Sequence, residues 1–381
     1  MQRPIYFDNQ ATTPVDPRVL EAMLPYFCEQ FGNAASRSHA FGWAAEKAVE
    51  RARLRVAEVC GASAREIVFT SGATESNNLA LKGAVEAYQG RGNHIVTMST
   101  EHPAVLDTIR YLAANGISSS VLPPRADGLL DLDLLRDAIR PETVLVSVMS
   151  ANNEIGVVEP VREIGEICRR RGVLFHVDGA QSFGKVPLDV VKNQIDLLAI
   201  SAHKIYGPKG VGALYVRRGV RLAPQVHGGG HEHGLRSGTV NVPGIVGLGE
   251  AAMLCASEMQ CEAVRIRSLR DRLYARIKGG LEDVAVNGSL EHRLPGNLNL
   301  MFDGIDAAVL LTSLPDVALS TGSACSSASP EPSHVLRAIG LSPRQARSSI
   351  RFSLGRSNTE AEVDHVAGRV IEMVKRLRMI Y

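Results

Sequence analysis

The sequence has no excess of charge of either sign. Forty-two basic side chains face forty acidic ones, a formal +2 over 381 residues, so no long-range field gathers nucleic acid or an anionic membrane surface. Neither is an expected partner. Cysteines are sparse: six, at positions 28, 60, 168, 255, 261 and 325, with no C-x-x-C pair, which argues against a disulfide framework. The opening MQRPIYFDNQATTP lacks the basic and apolar regions of a signal peptide, and no apolar run approaches the length of a membrane span. These absences predict a cytoplasmic chain whose thiols stay reduced. There is no internal repeat, and the one stretch of low complexity, STGSACSSASPEPS at 320–333, reads as a loop.

What is present is enough chain for two domains, with 45% hydrophobic residues to fill their cores. From about residue 41 long amphipathic stretches alternate with short β-branched runs, the pattern of an α/β domain. Helices are expected over 43–60, 105–115, 132–139 and 162–171. Strands are expected over 66–70, 94–99, 143–149, 173–177, 196–200 and 211–216. Most of these strands are unbroken apolar runs, which suits a mainly parallel sheet covered on both faces. Residues 241–277 read as mostly helix. Turn signals at Asn287-Gly288, Pro295-Gly296 and Asp303-Gly304 then mark a smaller α+β domain. The arginine clusters 169–171 and 265–272 read as solvated helix faces.

Ligands of open α/β sheets bind beyond the carboxyl ends of the strands. One strand is followed by Ser71-Gly72-Ala73-Thr74, small residues entering a helix, where backbone N–H groups and the helix dipole favour a phosphate. Others are followed by His102, by Asn152-Asn153, by Asp178 with Gln181 three residues on, and by Ser201-Ala202-His203-Lys204. Singly these are turns, caps and a surface lysine. Together they supply a lysine for a Schiff base, an acid for a pyridinium nitrogen and a phosphate cradle, the three requirements of pyridoxal 5'-phosphate. The spacing of His227, His231 and His233 in HGGGHEH is feasible for zinc. Three histidines beside three glycines also suit a loop at a phosphate and a subunit boundary, and no metal is assigned.

The segments FDNQATTPVDPR, FGNAASRSH, EIVFTSGATESNN, EHPAVLDT, ANNEIGV, FHVDGAQSFGK, SAHKIYGPKGVGALY, HGGGHEHGLRSGT, STGSACSSAS, EPSHVLRAIG and SSIRFSLGR resemble, in order and over nearly the whole chain, the cysteine desulfurases of the NifS/IscS type. The resemblance implies the aspartate aminotransferase-like fold of PLP-dependent transferases. It implies a large domain over 13–258 and a small one from 1–12 and 259–381, with the cysteine loop at about 318–333. It further implies that Lys204 binds the cofactor, Asp178 pairs with its ring nitrogen, and His102 stacks on the ring. Gln181 and Asn153 would contact the ring's phenolic edge. Ala73, Thr74, Ser201 and His203 would hold the phosphate, joined by Thr239 from the partner of a homodimer. Asn33 and Arg351 would hold the carboxylate of L-cysteine, and a guanidinium suits that task because it binds a carboxylate bidentately. Cys325 would take the sulfur as a persulfide for a protein acceptor such as an iron–sulfur scaffold. The chain departs from the family pattern at Ala34, Gly179 and His233, none of which removes a chemical role. It also lacks the usual acidic Glu-Gly-Glu ahead of Cys325.

Overall fold

The computed structural model describes residues 4–321 and 332–380. Its strands are β1 (Ile5–Tyr6), β2 (Ile67–Thr70), β3 (His94–Met98), β4 (Ser118–Leu122), β5 (Thr143–Ser147), β6 (Leu174–Asp178), β7 (Leu197–Ser201), β8 (Gly212–Val216), β9 (Val284–Val286), β10 (Asn297–Phe302), β11 (Val317–Ala318) and β12 (Ser349–Ser353). Seven of them form a sheet in the order β2-β8-β7-β6-β5-β3-β4. Only β8 runs against its neighbours. The other six therefore point their carboxyl ends to one edge, as the apolar runs imply. Strand β4 was not expected. Its sequence, SSSVL, is polar because it is an edge strand with an exposed face, and it shows no hydrophobic run.

Alternate residues of each strand serve opposite cores. Val68, Ile95, Leu145, Leu174 and Leu197 meet the helices Ala73–Ala87 and Pro103–Ala114 on one face. Phe69, Val96, Val146, Phe175 and Leu198 meet Ala40–Cys60, Val161–Arg171 and the first half of Val242–Gly280 on the other. Both faces are dry, so the central strands can be apolar throughout. A separate core lies around the antiparallel sheet β12-β10-β9, where Phe7, Leu298, Leu300, Ile350 and Phe352 pack with the helix Glu360–Arg378.

The helix Val242–Gly280 joins the two cores. Val246, Leu248 and Ala252 belong to the first, and Ile266, Leu269, Leu273 and Ile277 to the second. By length and composition this helix could cross a membrane, against the expectation that no stretch would qualify. Yet 61% of its apolar window is buried inside the fold, and burial in a core explains its hydropathy as well as lipid would. It also corrects one reading of the arginine clusters: Arg267 and Arg272 are exposed, but Arg270 is buried at 5% exposure. The cluster 169–171 is exposed as expected.

Candidate active site

A cleft of about 480 Å³ opens at the carboxyl edge of the large sheet, within the size range of small-molecule sites. One end is a turn between β2 and the helix Ala73–Ala87. Gly72 has φ +153 there, and a Cβ on Gly212 would meet the Gly72 Cα at 2.6 Å. The close approach requires glycine and sets the helix N-terminus against β8. Thr70 Oγ1 to Ser76 Oγ at 2.8 Å and Ser76 Oγ to the Ala213 carbonyl at 3.0 Å fasten the first turn to the sheet. No side chain caps this helix at Gly72. Ala73 and Thr74, in its first turn, line the cleft, and the unsatisfied leading N–H groups of a helix make such a turn suited to an anion. Ser201 and His203 line the same region. Burial, with Lys204, Lys209 and Lys185 nearby, pushes the His203 imidazole down to about 4, so it is neutral at pH 7. Its Nδ1 lies 3.1 Å from Thr12 Oγ1.

Asp178 ends β6 at the floor of the cleft, 5% exposed. Asn77 Nδ2 donates to its Oδ2 at 2.7 Å, and the Ala180 N–H to its Oδ1 at 3.0 Å. Both bonds fix the plane of the carboxyl group at the floor of the cleft. His102 caps the helix Pro103–Ala114: its Nδ1 accepts from the Ala104 N–H at 3.0 Å, so the ring carries its proton on Nε2 and is held in one orientation. Pro103 at the first helical position suits the same start.

Lys204 follows β7 in a short 3₁₀ turn, and its Nζ donates to the carbonyls of Gln10 at 2.5 Å and Ala11 at 2.8 Å. The turn exits through Tyr206, at φ +65, a conformation costly for a bulky residue. Tyr206 is held there because its N–H donates to Thr13 Oγ1 at 2.8 Å and its hydroxyl accepts from the Arg356 N–H at 2.6 Å. Gln181 Nε2 donates to the same Gln10 carbonyl at 3.0 Å, and Lys185 Nζ donates to Gln181 Oε1 at 3.5 Å.

At the far end Arg351 enters from β12 with its side chain 2% exposed. Its Nη1 donates to the Asn153 carbonyl at 2.7 Å and its Nη2 pairs with Asp8 at 2.6 Å. These contacts fix the guanidinium plane across the junction of the two cores.

Thus the structure brings Ala73, Thr74, His102, Asn153, Asp178, Gln181, Ser201, His203, Lys204 and Arg351 to one cleft. Asn33 is exposed, its Oδ1 accepting from Ala35 N–H in its own loop, and Thr239 is exposed. Neither lines the cleft of this chain. Cys325 lies outside the described residues. The reading missed Asn77, Gln10 and Asp8, although ATESNN and FDNQATTP contain them. Backbone carbonyls and an amide behind a carboxylate leave no spacing signal.

The histidine motif has another role. Glu232 is buried, accepting from Arg53 at 2.7 and 2.8 Å and from the Phe69 N–H at 2.7 Å. The ion pair ties the loop to the helix Ala40–Cys60 and the Phe69 bond ties it to β2, so the carboxylate is satisfied. Among the described residues no group of three or more His, Cys, Asp or Glu is placed to hold a metal.

The sequence profile of the aminotransferase class-V family matches residues 5–366. The chain belongs to that family. It is 60% identical over 380 residues to a cysteine desulfurase IscS of Anaeromyxobacter sp. (strain Fw109-5), covering 99% of this chain and 94% of that one. It is 56% identical to the IscS of Methylococcus capsulatus, covering 100% and 94%. Among solved structures, a NifS-like protein superposes with a TM-score of 0.92 at 39% identity, covering 98% of this chain and 100% of the other. A structure described as SspA in complex with cysteine superposes at 0.82, with 39% identity, covering 92% and 98%. Within the class-V family the chain therefore groups with the cysteine desulfurases, and the fold is that of the PLP-dependent transferases.

Proposed function

We propose that this chain is a PLP-dependent cysteine desulfurase that moves the sulfur of L-cysteine onto Cys325. The observation that carries the reading is the convergence on one cleft of Lys204, of Asp178 held by Asn77, of the uncapped helix N-terminus at Ala73, and of Arg351 from the second sheet. The cradle, the carboxylate and the amine match the phosphate, ring nitrogen and aldehyde of PLP. The group fits the residues present.

When bound, the cofactor supplies an electron sink for the Cα of an amino acid. The protein's own groups do the rest. Lys204 Nζ would hold the cofactor and carry the Cα proton, and Asp178 would pair with the ring nitrogen. His102, fixed by its bond to the Ala104 N–H, would lie against the ring, and Gln181 and Asn153 would contact its phenolic edge. Ala73, Thr74, Ser201 and His203 hold the phosphate. Arg351, steadied by Asp8, would take the substrate carboxylate. The Cys325 thiolate attacks the substrate sulfur, the carbon–sulfur bond breaks, and the protons return to carbon. L-Alanine and a Cys325 persulfide result, with no oxidant consumed. A protein acceptor such as an iron–sulfur scaffold then takes the sulfur.

We assign the exposed Thr239 to the cofactor phosphate of the partner in a homodimer, and the large domain to 13–258, a boundary that falls within the helix joining the cores. The thiol chemistry suits a reducing cytoplasm. The test is a visible absorption spectrum followed by borohydride trapping and peptide mapping. A yellow protein with the label on Lys204 is expected, and a label on another lysine contradicts the assignment.

A further inference from the structure

Cys325 sits in the sequence between the described residues Thr321 and Pro332, and the structure shows how the chain enters and leaves that interval. At the entrance, the Arg351 N–H donates to the Ser320 carbonyl at 2.8 Å, tying the chain to β12. At the exit, Ser333 Oγ donates to Glu154 Oε2 at 2.5 Å and accepts from the Leu336 N–H at 3.2 Å. Beside it, His334 Nε2 lies 3.0 Å from the Glu101 carbonyl. Glu154 directly follows Asn153, and Glu101 directly precedes His102, so the exit is fastened to the neighbours of two cleft residues.

Glu154 is 3% exposed and Ser333 8%. A buried carboxylate is costly unless its lone pairs are used, and here burial holds the Glu154 pKa above the usual carboxylate value although Ser333, His334, Arg351 and His102 lower it. Its main chain is fixed independently: its N–H donates to Asn152 Oδ1 at 2.8 Å, and its carbonyl accepts from Asn297 at 3.1 Å and Asn299 at 3.2 Å. Glu154 is therefore a rigid acceptor reaching from the large sheet's side of the cleft to the root of the cysteine segment. Capping the short helix His334–Ala338 needs only the Ser333 hydroxyl. The carboxylate adds a link between that root and the cleft.

We infer that Glu154 is a positioning residue for sulfur transfer, acting through Ser333, which it holds beside the cleft eight residues after Cys325 in the chain. The inference rests on the desulfurase reading. It is tested by kcat and KM for L-cysteine in the holoenzymes of E154A, E154Q, S333A and the double variant E154A/S333A, with spectral titration by L-alanine. E154A should lower kcat by roughly 10- to 100-fold, the scale of a misplaced reacting group. KM and the alanine titration should stay within about twofold of wild type, because carboxylate binding is untouched. E154Q, whose side-chain carbonyl can still accept from Ser333, should recover most of kcat. The double variant should be no slower than the slower single variant, as for two members of one contact. Should E154A fail to fold, S333A against S333T, which keeps the hydroxyl, reads the same contact. A kcat for E154A near wild type, multiplicative losses in the double variant, or parallel loss of alanine binding would overturn the inference. A wild-type enzyme that makes no alanine from cysteine would instead overturn the desulfurase reading.

Discussion

The two ends of the cleft are built by different means. The end at Asp178 and Lys204 grows out of the seven-stranded sheet. Each functional residue there lies at or just beyond the end of a strand, and its partners come from the helix Ala73–Ala87, as with Asn77, and from the N-terminal segment, as with the Gln10 and Ala11 carbonyls. The end at Arg351 is assembled across the junction, from β12, from Asp8 before the first helix, and from the Asn153 carbonyl. The first end is built around the carboxyl edge of one sheet and closed by the N-terminal segment, whereas the second places the guanidinium itself across the docking of two cores. Substitutions at the first should thus act on chemistry, and those at the second on substrate binding.

The sharpest test of that division is Asp178→Asn. The amide keeps the shape but cannot hold a pyridine nitrogen protonated, so cofactor should be retained while kcat falls on the order of 10²–10³-fold, comparable to removing one electrostatic stabiliser. Alanine production at the wild-type rate would show Asp178 to be structural. Arg351→Lys should act in the opposite sense. A lysine cannot reproduce the planar bidentate contact, so KM for cysteine should rise by about 10- to 100-fold, on the order of 1.4–3 kcal/mol, with a smaller change in kcat. Equal losses in both parameters would blur the two ends into one.

The first end was also the more legible. The six apolar runs fell within two residues of β2, β3, β5, β6, β7 and β8, because strands buried on both faces must be apolar and their ends then locate the cleft. The second end depends on contacts between positions hundreds of residues apart, such as Asp8 with Arg351, which no local pattern encodes. Glu154 was invisible for a related reason. In ANNEIGV the asparagines read as a turn, and a glutamate after a turn is ordinarily solvated, whereas the small sheet and Ser333 bury this one. Strand β4 escaped because edge strands need no apolar run.

The smallest effect expected concerns the support behind the cleft. Burial raises the Glu159 carboxyl to about 8 although it accepts the Leu130 N–H at 2.9 Å, and burial holds Glu101 well above its usual range. Folding therefore favours the protonated acids, and as pH rises from about 4.5 through 8 the unfolded chain releases protons that the native chain keeps. Stability should fall across that window, by a few kcal/mol at most for Glu159. Glu159→Gln should flatten part of the slope measured by denaturant unfolding at pH 5 and pH 8. An unchanged slope would mean that Glu159 does not contribute.

All of this serves one claim, that the cleft delivers sulfur to Cys325. Brief exposure of the holoenzyme to L-cysteine, followed by peptide mass spectrometry without reductant, tests it most directly. A gain of one sulfur on the Cys325 peptide is expected, absent in Cys325→Ser even though that variant still binds cofactor and cysteine. Sulfur found instead on Cys28, Cys60, Cys168, Cys255 or Cys261, or alanine made by the serine variant at the wild-type rate, would contradict it.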